Sequence, residues 1–372
     1  MNEFRPAMRL AATAPLLFVQ PTPLCNLDCS YCYLPHRAVA RVMPLEVVDA
    51  VAEGVRVWAE LHPVRVIWHG GEPLTIGSAR FAKLLDRFSG HGKYPVRHMV
   101  QTNATLIGDA WCDVFQNEAV DVSVSIDGPD ERNEERKDRR GADSSERALR
   151  GIELLRRRRI PFSAIAVVSA PSATLARELY TWFADLGCRS LGLNLVERKG
   201  VCSGREAVDE ENVVEFWSEL TSCRKSDGRM GLRDIDHALR YLRDELDGRV
   251  PERTSLPRSP VPMVTWNGDV VPIGPELAGF TDPGYGDFTV GNVTDSSLAQ
   301  LVERATEVPW VGEVVEGIER CRATCDHFAY CLGGDASNKY FESGRFDVTD
   351  TEHCRNSKKL LMKGLFRYVE RE

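Results

Sequence analysis

Apolar residues in the first half of the chain keep two alternating rhythms. Short runs at residues 16–20, 64–68, 96–101, 120–126, 162–168 and 190–196 are dense in Val, Ile, Leu and aromatic side chains, as buried strands are. The stretches between them, 44–61, 78–88, 109–117, 144–159 and 172–186, repeat apolar residues every three or four positions. Val47, Val48, Val51, Val55 and Trp58 are an example, and such spacing predicts amphipathic helices. Strand–helix alternation of this kind predicts right-handed βαβ units feeding a parallel sheet. Six units fall short of the eight that close a barrel. The expected α/β fold is therefore an open, curved partial (β/α)6 barrel over residues 12–200. Residues 201–250 read as a connecting segment with two further helices. After Pro251 the pattern turns to Gly, Pro and short strands, with Asn267-Gly268 as a hairpin turn, and 251–372 is expected to form a cysteine-rich domain.

The 372 residues are 43% hydrophobic and 27% charged, an ordinary globular composition sufficient for roughly two to three domains. No apolar run reaches about 18 residues, so no membrane span is expected. Pro15 and Pro21 bracket a strand-like run, which reads as strand and not as a targeting segment. A formal net charge of −8 argues against nucleic-acid binding. The charge-dense stretch 129–159 is expected to be a solvated loop and helix face. Eleven cysteines, seven of them in two groups, point away from a disulfide framework and towards a reducing, cytoplasmic compartment where thiolates hold metal.

The first group, Cys25, Cys29 and Cys32, has the spacing C-x3-C-x2-C on a loop just after the first strand. Three thiolates so close can wrap one face of a cube-shaped iron–sulfur cluster and leave one iron open. The competing readings are a zinc site with His36 as fourth ligand, or unrelated buried cysteines. Three further signatures follow in order: Trp68-His69-Gly70-Gly71-Glu72-Pro73, Gln101-Thr102-Asn103-Ala104-Thr105 and Ser125-Ile126-Asp127-Gly128-Pro129. Each ends a predicted strand, where α/β folds build their sites.

Together these motifs resemble the radical S-adenosylmethionine (SAM) superfamily. The resemblance implies that the three cysteines hold a SAM-binding 4Fe-4S cluster. It implies that Gly70, Gly71 and Glu72 line the methionine amino group of SAM, with two glycines allowing close backbone approach. Asn103, Ser125 and Asp127 become polar SAM contacts, Tyr31 the aromatic near adenine, and Arg136 a further contact for the SAM carboxylate. Gln101 is a possible substrate contact, and Ala104 stands where the family usually has glycine.

The second group, Cys321, Cys325, Cys331 and Cys354, has the spacing C-x3-C-x5-C-x22-C, which by itself fits a closed cluster or structural zinc. Behind a radical SAM domain it resembles the SPASM extension of enzymes that modify peptides and proteins. Pro275-Glu276-Leu277, Gly291-Asn292-Val293 and the run Cys331-Leu332-Gly333-Gly334-Asp335-Ala336-Ser337-Asn338-Lys339-Tyr340-Phe341-Glu342 are similar to the cyclophane-forming GrrM-type maturases. The likeness covers about 12–360. It departs from the full SPASM pattern of seven cysteines: Asp335 replaces one, and none lies between Cys223 and Cys321. One auxiliary 4Fe-4S cluster is therefore expected. Cys112, Cys188, Cys202 and Cys223 read as small buried hydrophobes.

What the resemblance implies is a 5′-deoxyadenosyl radical that abstracts a β-hydrogen from a ribosomally made precursor peptide. The carbon radical then attacks a nearby aromatic ring, and an electron donor such as flavodoxin or ferredoxin supplies the reducing electron. Glu276, Asp335 and Glu342 are candidates for the general base. Thioether formation, epimerisation, sulfatase-type maturation and a non-catalytic zinc scaffold are the alternatives.

Overall fold

The computed structural model describes residues 10–90, 92–196 and 208–371. Its strands are β1 (Leu16–Val19), β2 (Val64–Trp68), β3 (Val96–Thr102), β4 (Asp121–Ser125), β5 (Phe162–Val168), β6 (Ser190–Leu195), β7 (Gly231–Leu232), β8 (Met263–Val264) and β9 (Val270–Val271). Helices α1 (Leu45–Ala59), α2 (Ser78–Leu85), α3 (Asp109–Asn117), α4 (Ser145–Arg157) and α5 (Ala173–Asp185) occupy the crossovers from β1 to β6. Then come α6 (Glu210–Asp227), α7 (Arg233–Leu246) and α8 (Val250–Ser255). The C-terminal part carries α9 (Leu298–Glu303), α10 (Pro309–Thr324), α11 (Phe328–Cys331), α12 (Ala336–Ser343), α13 (Glu352–Cys354) and α14 (Leu360–Arg371).

All strands belong to one sheet in the order β7-β6-β5-β4-β3-β2-β1-β8-β9. Every pair is parallel except the hairpin β8–β9. The parallel α/β sheet with outer helices is as the sequence rhythm predicts. Along β5, Phe162, Ala164, Ala166 and Val168 are buried under the helices while Ser163, Ile165 and Val167 on the other face are half-buried, the two-residue period of a strand. α1 buries Val47, Val48, Val51, Val55 and Trp58 as one stripe. No described helix is long and apolar enough to cross a membrane.

The short strands expected around the Asn267-Gly268 turn are β8 and β9, and from Leu298 onward the C-terminal third is mostly helical. It is not set apart from the barrel. Although Val271, Phe288, Trp310, Val311, Ile318 and Phe346 form a core of their own, β8 extends the barrel sheet by pairing Met263 with Phe18. At the other end α14 returns to α6, with Arg367 bonded to Glu211 and Glu215. A boundary near residue 250 therefore marks a change of composition, while the sheet runs through it. Cys202 lies outside the described residues.

Candidate cysteine-cluster site

Cys25, Cys29 and Cys32 sit on the loop that leaves β1. The loop has little regular structure, so its neighbours fix its shape. Asp28 and Ser30 donate backbone N–H groups to Lys137 O and Glu135 O at 2.8 and 3.1 Å. Arg37 donates to Cys29 O at 3.0 Å, and Arg139 donates to Cys25 O at 3.1 Å and to Arg37 O at 2.8 Å. Segment 135–139 is thus a clamp on the cysteine loop, which corrects its reading as merely solvated. The solvated reading holds for α4, where Arg150 and Glu146 form an exposed pair.

The turn after β2 closes onto the same loop. Gly71 has φ +62°, and a Cβ there would lie 2.6 Å from Leu24 O and 2.7 Å from Pro23 C and O. Glu72 N–H, next in the chain, donates to Leu24 O at 2.8 Å. The obstructing atoms are backbone and cannot swing aside. Gly71→Ala is therefore expected to destabilise the fold by roughly 1–3 kcal/mol. Chemical denaturation of the metal-free chain measures it, and an unchanged midpoint would show that the turn can move.

Glu72 is fully buried and ties the turn after β2 to the end of β3. Its carboxylate accepts from Thr102 Oγ1 at 2.7 Å, Asn103 N at 2.7 Å and Leu74 N at 3.1 Å. Burial pushes its pKa up to about 7 against the pull of these donors. Asn103 Nδ2 donates to Asn26 Oδ1 at 2.9 Å, which closes a ring back to the cysteine loop. Ala104 adopts φ +62°, the left-handed conformation that a glycine at this position takes without strain.

At the end of β4, Asp127 accepts from Tyr31 OH at 2.5 Å, Arg136 Nε at 2.9 Å and Val167 N at 2.9 Å. Arg136 is buried, and its guanidinium stands 5.5 Å from the Tyr31 ring centroid. Gln101 Nε2 donates to Ser125 Oγ at 2.6 Å. The residues assigned to SAM from the sequence therefore lie on the loops that leave β1–β4 at their carboxyl ends, in separate hydrogen-bonded groups around Glu72, Asp127 and Ser125. Sequence reasoning missed Asn26, Thr102, Asn133 and Arg139. Asn133, which accepts the Asp127 N–H at 2.9 Å, sits in a charged run that hides it.

The thiols sense one another. Burial, then the Glu72 charge, and further down the charges of Cys29 and Cys32, push Cys25 up to about 12. Burial also raises Cys29, while Arg136 pulls it down. The second group behaves alike: Cys354 is pushed up to about 11 by burial and by the charges of Cys331 and Cys325. Cys321 is raised by burial and by the same two thiols, against the pull of Lys339, whose buried Nζ lies 3.8 Å from its Sγ. Among the described residues, no three His, Cys, Asp or Glu side chains converge tightly enough for a single metal ion.

Beside the second group lies a cavity of about 250 Å³ between Leu16 and Phe18 of β1 and the residues Arg258, Glu276, Asp335 and Lys339. Ser337 Oγ is 3.0 Å from Glu276 Oε2 and 2.5 Å from Asp335 Oδ1, so its one proton serves either carboxylate. Glu342 is not with them. It accepts the backbone N–H groups of Glu352 and His353 at the start of α13 and so shapes the Cys354 loop. Cys112 and Cys188 are buried, as expected of small hydrophobes, and Cys223 is half-buried.

The sequence model of the radical SAM superfamily matches residues 19–170. An uncharacterized protein of Synechocystis sp. is 32% identical over 356 residues, covering 91% of this chain and 88% of that protein. The serine-type anaerobic sulfatase-maturating enzyme of Klebsiella aerogenes is 32% identical over 180 residues, 45% of this chain and 43% of that enzyme, so the match spans under half of its length. Among solved structures, anSMEcpe with bound AdoMet has a TM-score of 0.71 at 22% identity, covering 96% of this chain and 99% of that one. Streptococcus suis SuiB bound to precursor peptide SuiA has a TM-score of 0.67 at 16% identity, covering 92% and 76%. The chain belongs to the radical SAM superfamily. It is an enzyme of that superfamily, whose members use a 4Fe-4S cluster and SAM.

Proposed function

We propose that this enzyme cross-links a ribosomally synthesised precursor peptide, joining an aromatic side chain to a nearby β-carbon by a C–C bond. One observation carries the reading. Two groups of buried and half-buried thiols, each cysteine with electrostatic neighbours inside its own group, are linked through adjacent strands of one sheet, the first on the loop after β1 and the second in the part that β8 anchors. Thiolates are the ordinary ligands of iron–sulfur clusters. The C-x3-C-x2-C spacing of the first set, followed by the motifs at the ends of β2, β3 and β4, favours a four-iron cube over zinc. Cys25, Cys29 and Cys32 would leave one iron for SAM. Cys321, Cys325, Cys331 and Cys354 would fully ligate one auxiliary cluster in a SPASM-like region.

When bound, the cluster and SAM supply a hydrogen-abstracting radical, which is the cofactors' chemistry. The chain's own residues position and deprotonate. The Tyr31–Asp127–Arg136 assembly and the Gln101–Ser125 pair present polar groups to SAM and substrate. Glu276 or Asp335 would receive the proton lost as the ring regains aromaticity, with Ser337 between them, and the electron lost with it would pass to the cluster that Cys321, Cys325, Cys331 and Cys354 would hold. A peptide substrate is supported by the SuiB structure with its precursor peptide and the anSMEcpe structure with a peptide. The reducing electron comes from a flavodoxin or ferredoxin.

The modified peptide is expected to be lighter by two hydrogens, about 2 Da, because each partner gives up one C–H. Tandem mass spectrometry should then fail to fragment the chain between the linked residues. The sulfatase-maturase similarity favours a second reading, oxidation of a serine to an aldehyde, and that product also loses two hydrogens. A hydrazide reagent separates them: it labels the aldehyde and leaves a cross-linked peptide untouched.

A further inference from the structure

A second cavity, of about 390 Å³, opens where β6, α7 and the residues around Cys354 meet. Its wall carries Arg233, Arg240, His237, His353 and Lys358 against a single acid, Asp234. Three of these, Arg233, Arg240 and Lys358, are cations, in a chain whose formal net charge is −8 with histidine neutral. The sheet makes room for it. A Cβ on Gly192 of β6 would lie 2.5 Å from Arg233 Nη1, so the missing side chain is what lets the guanidinium lie across that face. Arg233 is steadied there by Asn194 Oδ1 at 3.1 Å and by Asp234 at 3.3 Å. Among the described residues, its Nη1 meets no acceptor and Arg240 makes no hydrogen bond or ion pair. A guanidinium presents five donors in a planar fork that matches a carboxylate.

The cavity is also tied to the last two cysteines of the second thiol group. His353 precedes Cys354, while His237 and Lys358 both stand against the ring of Tyr330, the residue before Cys331, at 5.3 and 5.8 Å. The face of β6 that carries Gly192 and Asn194 is the one turned away from the buried Leu191, Leu193 and Leu195, and hence away from the covering helices.

We propose that this cavity binds a carboxylate of the peptide substrate, an Asp or Glu side chain or the chain terminus, and so holds an acidic segment between the sheet and the cysteine-rich part. The proposal rests on the peptide-maturase reading and adds the charge of the substrate to it. The probe is a fluorescein-labelled peptide of alternating Glu and Tyr, titrated anaerobically into the full cluster-loaded chain and followed by anisotropy. A Lys/Tyr peptide of equal length is the control. The acidic probe is expected to bind at least tenfold more tightly than the basic one, and raising the salt from about 50 to 200 mM should weaken it.

Arg233→Gln with Arg240→Gln should reduce acidic-probe affinity tenfold or more, while circular dichroism confirms the fold. A single exposed variant, Arg240→Gln, should give part of that loss if the double variant unfolds. Equal binding of the two probes, or an unaltered affinity in the folded variants, overturns the proposal. So does a parallel loss of SAM affinity, which would assign the cavity to the SAM carboxylate. Reductive release of 5′-deoxyadenosine without peptide is measured separately. Its absence would count against the enzyme reading, and its presence with no acidic preference would count against the cavity alone.

Discussion

Replacing Cys25, Cys29 and Cys32 together with Ala should remove about four irons per chain and abolish reductive release of 5′-deoxyadenosine from SAM. The expectation follows from the chemistry of the loop. Burial above all holds the Cys25 and Cys29 thiols high, Cys25 at about 12, so these two are poor proton donors until iron compensates the charge. Among the described residues outside the two groups no thiol is placed to substitute: the electrostatic neighbours of Cys112, Cys188 and Cys223 are not cysteines of this loop. The loop itself is held from outside by Arg37, Arg139 and the backbone of 135–138, so the alanine chain should still fold. Anaerobic reconstitution, iron assay and chromatography of the nucleoside product measure both effects. Undiminished SAM cleavage would end the assignment of these cysteines.

The second large effect concerns the C-terminal thiols. Iron analysis of the intact chain should give about eight irons, and serine at Cys321, Cys325, Cys331 and Cys354 should leave about four. Asp335 stands where the wider pattern has another cysteine, but it caps α12 by accepting the Asn338 N–H at 3.1 Å and lies within 2.5 Å of Ser337 Oγ. As a hard oxygen ligand it is also a poor partner for iron–sulfur. Around residue 273, where the other cluster would begin, the side chain is Ile273, packed in the C-terminal core. Serine at Cys112, Cys188, Cys202 and Cys223 should leave the count at about eight. A loss of four irons in that quadruple variant would reveal a third cluster and overturn the single-auxiliary assignment.

The barrel half was legible because its signals are local. Strand runs such as 64–68 and 162–168 and the helix 109–117 coincide with β2, β5 and α3, since each carries a full apolar face within its own span. Thr102 extends β3 beyond the expected end at 101, because its hydroxyl is recruited by Glu72 from the neighbouring turn. The C-terminal helices were missed because apolar and turn residues mix there. Gly312 and Gly317 interrupt α10, although Trp310, Val311, Val314 and Ile318 still line its buried face. In the site, motif residues were found but their partners were not. The Asp127–Tyr31 contact spans 96 positions, and no local pattern announces a bond of that range. Lys339 escaped because a lysine reads as surface, whereas this one is buried against Cys321.

The pairing of β1 with β8 also bears on how the protein is made. Phe18 N–H and Gln20 N–H donate to Pro262 O and Val264 O, residues that leave the ribosome some 245 positions later. At about 5–20 residues per second, that edge of β1 stays open for roughly 12–50 s of synthesis. An open edge of this kind invites pairing with other chains. The strand that carries the first cysteines is thus completed only when the segment leading to the last ones is emerging. A nascent chain stalled before residue 263 would present the first cysteine loop on an unsealed sheet.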